Sequence, residues 1–354
     1  MKPIASFALL SAVFAVSAYG AATDPVGYVT IPLPGTGGGA PQRLQIGNQG
    51  LLPGDAFADS GIAESFGADG TGNFLQDDEG GWAAGDYVNG SQVSHLVEIL
   101  DGPLAGAMTW ITSSEANKLY TVDDISAAGA GANFRVVKAF TVGTLLGDPP
   151  EVETFQGGGN SGVADNLLIL DPVTNTYTTF WYKDSGLGGT GWRAAGIAND
   201  LVASEAIHPN DGLVIQRKQE TDGSLVITGS VKTTPTSVRV EGNGASTVLN
   251  IVALTIPVDQ LTIGDTGLYT GDNATGLKGG GNSGDADNLL IFDATTNTYT
   301  TFWYKDSGLG GTGWRAAGVA EPENFVIPST GAVLIQRKAG PAFTWNVPAP
   351  VIAP

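Results

Sequence analysis

Asp184-Ser185-Gly186 and Asp306-Ser307-Gly308 are the residues of this chain that most invite a catalytic reading. One Asp-Ser-Gly triplet in each of two related lobes is the arrangement by which two carboxylates share a proton in acid proteolysis. The neighbours argue against that chemistry. Lys183 and Lys305 precede the triplets and Leu187 and Leu309 follow them, and an adjacent cation holds a carboxylate ionised. The expectation is a strand end carrying a surface Lys–Asp pair.

The same stretches contain Gly186-x-Gly188-x-x-Gly191 and Gly308-x-Gly310-x-x-Gly313. A dinucleotide site needs a helix after such glycines, so that its amino terminus meets the pyrophosphate. Here Trp-Arg-Ala-Ala-Gly follows, too short for that helix, and a hairpin loop is expected instead. Upstream, Asn160-Ser161-Gly162-x-Ala164-Asp165-Asn166 and its copy are rich in the oxygens that calcium prefers. Asp165, Asp285 and Asp287 are the candidate ligands. The spacing fits no EF-hand, Asp285 is replaced by Val163 in the first copy, and turn formation explains the same Asn and Asp residues. His95 and His208 are the only histidines; with no Gly-x-Ser-x-Gly elbow they read as ordinary residues. Trp181, Tyr182, Trp192 and Arg193, with Trp303, Tyr304, Trp314 and Arg315, could form sugar-stacking platforms. The competing and favoured reading puts these aromatics in the core and at its corners.

All of these residues except His95 lie in one duplicated segment or beside it. Residues 157–196 return at 279–318, an offset of 279 − 157 = 122, with 36 of 40 positions identical. Only Val163/Asp285, Leu170/Phe292, Pro172/Ala294 and Val173/Thr295 differ. A repeat of this length means one structural unit used twice. The flanks have drifted apart, apart from a closing Ile-Gln-Arg-Lys, and yet polar residues such as Lys183, Asp184 and Arg193 are kept. Two explanations stand: local gene conversion, or a surface that both copies present to something.

The elements that position these residues are strands. Glycine is 52 of 354 residues and charged residues are 14%, against a usual ~25%. Thr, Asn, Asp and Gly in abundance favour short strands and tight turns over long helices. Asn166 to Leu170 is an apolar strand, Asp171 to Asn175 a turn, and Thr176 to Lys183 a strand dense in β-branched and aromatic residues. Tyr177, Thr179 and Trp181 share one face of it and Thr178, Phe180 and Tyr182 the other. Earlier, strands with glycine turns recur every ~8–12 residues from Ser94 onward, the rhythm of a small antiparallel barrel or sandwich. The fold class expected is all-β: tandem antiparallel β-sandwich modules preceded by a small β-barrel or sandwich domain. The boundaries expected are an amino-terminal β domain over 23–133, module 1 over 134–232, a linker over 233–246 and module 2 over 247–354.

Residues 1–22 carry a basic start, an apolar run from Ile4 to Val16 and small residues after it, the three parts of a secretory signal peptide. The apolar run is shorter than a bilayer span, and no later stretch could cross as a helix. A net charge of −19 with no cluster of Lys or Arg disfavours nucleic acid and anionic lipid as partners. There is no cysteine, so disulfides, thiolate metal sites and thiol nucleophiles are excluded together.

Asn-Thr-Tyr-Thr-Thr-Phe-Trp-Tyr-Lys, Gly-Leu-Gly-Gly-Thr-Gly-Trp-Arg and Ile-Gln-Arg-Lys, with Asp-Pro-Val-Gly-Tyr-Val at Asp24 and Gly-Pro-Leu-Ala-Gly at Gly102 to Gly106, resemble a family of uncharacterised secreted proteins of Gram-negative bacteria. The likeness runs from about Asp24 to the end. It implies export to the extracellular space or outer cell surface; it brings no activity and no catalytic residue. The leading expectation is an exported, non-catalytic protein in cell-surface or extracellular interaction, with an extracellular glycan or protein as partner. A carbohydrate-binding protein using the repeated Trp and Tyr residues is the runner-up, and a secreted hydrolase with acidic catalytic residues the third. No cofactor is required by these readings; calcium is the one the Asp-bearing loops could hold.

Overall fold

The computed structural model describes residues 26–48, 50–254, 261–328 and 332–347. The leader expected at residues 1–22 lies outside them. Nearly every described element is an antiparallel strand, and the one α-helix is the single turn Val142–Leu146. None of the described helices is long and apolar enough to cross a membrane.

Each copy of the repeat supplies the middle of a two-sheet sandwich. In module 1, Asn166–Asp171 pairs with Thr176–Lys183, which pairs with Gly191–Ala194; on the other side it pairs with Leu213–Arg217, and that strand with Gln42–Ile46. The second sheet joins Val26–Leu33 to Gly223–Val231 and Leu51–Leu52. Leu33, Ile46, Leu167, Phe180, Ile215 and Ile227 fill the space between the two sheets. Module 2 repeats the plan. Its five-stranded sheet runs Thr247–Ala253, Ala332–Lys338, Asn288–Asp293, Thr298–Lys305, Gly313–Ala316, and its second sheet pairs Thr236–Asn243 with Pro341–Val347.

The pairing corrects the expected boundaries. Val26–Leu33 and Gln42–Ile46 belong to module 1, not to an amino-terminal domain, because their partners lie far downstream, from 213 − 46 = 167 to 230 − 26 = 204 residues on. The stretch expected as a linker contains Thr236–Asn243, the first strand of module 2. The small β domain therefore does not precede module 1; it is inserted within it, between Leu51–Leu52 and Phe140–Thr141.

That insert is a closed barrel. Its sheet begins with Phe57–Ala63 and ends with Ser65–Ala68, two halves of one strand bent at Glu64. Phe57–Ala63 pairs with Ala132–Lys138, and Ser65–Ala68 with Asn73–Gln76, so the two ends of the sheet are joined through one bent strand. Leu75, Val97, Ile111, Leu119 and Phe134 fill it, and Trp82 closes the core with its Nε1 donating to Asp59 Oδ2 at 2.6 Å. The barrel is tied to the end of module 1 through buried Glu98, which meets Arg135 Nε of the barrel's own strand at 2.6 Å and Lys232 Nζ, just past Gly223–Val231, at 3.0 Å. The Gly-Pro-Leu-Ala-Gly turn docks beside it. A Cβ on Gly106 would stand 2.4 Å from the Pro235 carbonyl oxygen, and its φ is +84°, so only glycine fits.

The two modules pack through the outer faces of their five-stranded sheets. Leu168, Leu170 and Val214 meet Ile251, Leu290 and Leu334. Leu168 and Leu290 are equivalent in the repeat (290 − 168 = 122), and so are Val214 and Leu334 (334 − 214 = 120), so the contact joins like surfaces, as in a two-fold dimer. The hairpin turn of module 1 reaches over to cap the other sheet: Asn175, in the left-handed region at φ +56°, accepts from Leu249 N at 3.1 Å.

Candidate functional site

The polar residues common to both copies divide into two sets. The first is an interlock. Asp165, fully buried, accepts from Gln156 N at 2.9 Å, from Lys218 N at 2.5 Å and from Arg217 Nη1 at 3.1 Å. Arg217 is equally buried. Lys218 Nζ donates to the Ala164 carbonyl at 2.7 Å and to that of Ser161, while Asn166 Nδ2 donates to Gln216 Oε1 at 3.2 Å. Module 2 has the same set: Asp287 with Arg337, Lys278 N and Lys338 N; Lys338 with Ser283 and Gly284; Asn288 with Gln336 at 2.7 Å. Burial pulls the Arg217 and Lys218 pKa values down, and the Asp165 charge opposes it. Ile-Gln-Arg-Lys is thus the counterpart of Ala-Asp-Asn, fastening the oxygen-rich loop to the closing strand.

Of the candidate calcium ligands, Asp165 and Asp287 are committed to this interlock. Asp285 is exposed and accepts from Asn282 Nδ2 at 2.7 Å. In both loops the carbonyl oxygens are met by a lysine ammonium.

The second set holds the glycine loop. Lys183, Trp181 and Arg193 stand on the outer face of the sheet, since Trp181 pairs with Arg193 and Lys183 with Gly191. Arg193 Nη2 donates to the carbonyls of Gly188 at 3.0 Å and Gly189 at 3.2 Å, and Lys183 Nζ to that of Leu187. Arg315 and Lys305 repeat this with Gly310, Gly311 and Leu309. Two cations collecting carbonyls from one short loop fix its path. At its tip the leucine has nothing to pack on: Leu187 and Leu309 are each 96% exposed. The hairpin expected in place of a nucleotide loop is present, with Gly191–Ala194 returning as a strand. The expected Lys–Asp pair is not formed, because Lys183 turns to the loop. Asp184 instead accepts from Ser185 Oγ at 2.8 Å.

The aromatics divide between core and face. Trp192 is buried, with Nε1 donating to the Gly147 carbonyl at 2.9 Å and its ring against Phe155 and Tyr182. Trp314 is buried in the same place in module 2, beside Tyr304, which stacks on Tyr269 at 3.6 Å. These are core and corner residues, not platforms. Trp181 and Trp303 remain half-buried on the outer faces, each with a buried Nε1 that has no hydrogen-bond partner. Asp184 faces Gly157, and Asp306 faces Gly279 and Tyr269, so each carboxylate of the Asp-Ser-Gly triplets is turned to its own module. His95 sits in the barrel against Tyr87 and Ser94 Oγ, and burial lowers its pKa.

Sequence reasoning missed Arg217 and Arg337 as partners of Asp165 and Asp287. The signal was present: an arginine kept in both copies inside an otherwise apolar closing strand demands a buried counter-charge.

No family model matches the chain, and neither a curated protein nor a solved structure matches it.

Proposed function

We propose that the chain is an exported, non-catalytic binding protein of the extracellular space or outer cell surface, with the two glycine loops as its recognition elements. The observation that carries this reading is the pair of leucines, each 96% exposed, on loops held in one conformation by identical Lys and Arg contacts. Neither fold stability nor solubility calls for a leucine there, and burying one against a partner contributes ~1.5–3 kcal/mol. The loops lie at the far ends of Thr176–Lys183 and Thr298–Lys305 from the hairpin turns, about 25 Å along each strand. They are therefore clear of the contact between modules. Trp181 and Arg193, with Trp303 and Arg315, flank the loops and supply aromatic and cationic surface to a glycan or protein partner.

The experiment is flow cytometry of labelled mature protein on Gram-negative cells, with a glycan array in parallel. Wild type is expected to bind, and the double variant Leu187→Ser/Leu309→Ser to lose binding while keeping its melting temperature. Absence of wild-type binding on both surfaces, or binding indifferent to the leucines, would refute the proposal. So would turnover in a broad hydrolase screen.

A further inference from the structure

The small sheet of module 1 ends in an open edge. Its order is Val26–Leu33, Gly223–Val231, Leu51–Leu52, and among the described residues nothing pairs with the far side of Val26–Leu33. The strand is long and regular: all eight residues match Gly223–Val231 in one register with no bulge. Alternation turns Ile31 and Leu33 into the core and leaves Val26, Tyr28, Thr30 and Pro32 outside. Val26 and Tyr28 are 76% and 75% exposed, and Val226, opposite Thr30, is 52% exposed. Neither strand carries a charged residue, on a chain of net charge −19.

Exposed strand edges recruit further strands, and proteins blunt them with charge, proline, bulges or a covering segment. Module 2 uses two of these devices. Thr236–Asn243, the counterpart of Val26–Leu33, carries Arg239 and Glu241, paired at 2.5 Å. The edge strand Thr247–Ala253 is free of charge, but module 1 covers it: Gly212 N donates to the Ile251 carbonyl and Ala253 N to that of Asn210, both at 2.8 Å. Val26–Leu33 has neither protection, and its proline comes only at position 32.

A second copy of the chain suits this edge. Two strongly acidic chains repel, so contact costs least where charge is absent, and this face has none. Identical strands pair antiparallel across a two-fold axis, each offering the other the same donors and acceptors, and the pair closes on itself. We propose that two copies pair through Val26–Thr30, joining their three-stranded sheets into one. An axis at Tyr28 keeps Pro32, which has no N–H to give, out of the pairing. It sets Tyr28 against its own copy and Val26 against Thr30, on the face where Val226 adds apolar surface. Such a contact is smaller than the ~1,200 Å² that specific, stable interfaces bury, so the dimer forms as concentration rises.

Sedimentation velocity from about 1 μM to about 500 μM protein, with hydrogen exchange at both ends, tests this on wild type, Tyr28→Lys and Leu187→Ser/Leu309→Ser. Wild type should pass from monomer to dimer and no further, with exchange slowed in Val26–Thr30. Added salt should strengthen the dimer by screening the net charge. Tyr28→Lys sets two cations face to face at the axis and should weaken the dimer about tenfold or more. Because Tyr28 is exposed, the melting temperature should hold. The leucine variant should dimerise as wild type does, which separates this edge from the glycine loops. A monomer throughout, a dimer that weakens with salt, one indifferent to Tyr28→Lys, or one lost with the leucines would overturn the proposal.

Discussion

Replacing Asp287 by Asn changes one charge and almost no volume, and the structure says the change is costly. Asp287 accepts from Arg337 Nη1, from Lys278 N at 2.8 Å and from Lys338 N. An amide has one oxygen to offer, so its NH2 must face at least one of these donors. A buried N–H left bare costs ~1–3 kcal/mol. The Arg337 guanidinium, fully buried, keeps carbonyl partners at Gly276 and Pro341 but loses its counter-charge. Breaking such a pair from one side costs ~3–5 kcal/mol in all, which for a unit of this size lowers the melting temperature by roughly 6–20 °C. Differential scanning calorimetry reads it directly, and Asp165→Asn should behave alike in module 1. The double variant Asp287→Leu/Arg337→Met, with no charge left, should recover most of the loss. A shift below 2 °C for Asp287→Asn, or a double variant worse than the sum of the singles, would refute the interlock.

Trp192→Ala, at a site 1% exposed, should lose ~3–5 kcal/mol of stability by urea denaturation; a stable variant would mean the ring is not core. Calcium should leave the melting temperature unchanged, since the carboxylates of Asp165 and Asp287 are engaged by Arg and backbone donors; a rise with millimolar calcium would contradict that. The Asp211 carboxyl, raised by burial to about 7, favours its proton in the folded state. Its contribution is fully present below pH 4 and is lost as pH climbs to 7. Asp211→Asn should therefore gain on wild type across that window, by at most about 4 kcal/mol, and hold level above it; a pH-independent difference between the two melting curves would contradict the assignment.

The local structure was legible because its signals are local. Thr176–Lys183 is β-branched and aromatic, Asp171 and Asn175 build their own turn, and the glycines of 186–191 have positive φ at Gly186, Gly188, Gly189 and Gly191. The module boundaries were not legible. They depend on Val26–Leu33 finding Gly223–Val231, and alternation along a strand names its buried face without naming its partner. The strand rhythm from Ser94 onward left barrel and sandwich open, because the choice between them rests on one bend at Glu64. The sites followed suit. The glycine loop announces itself by composition, but an exposed Leu187 and a buried Trp192 look equally apolar in a sequence. The open edge of Val26–Leu33 depends on where its one partner strand lies and leaves no motif.

Two identical loops on one chain should bind a surface bivalently. Dissociation from immobilised target, followed by biosensor, measures this for wild type, Leu187→Ser, Leu309→Ser and the double variant. Each single variant should drop wild-type avidity steeply, by up to ~10²–10⁴-fold where both loops engage at once, with the two singles alike and the double at background. Two singles that dissociate as slowly as wild type, or a double variant that still binds, would show that the leucine tips are not what this protein uses to hold its partner.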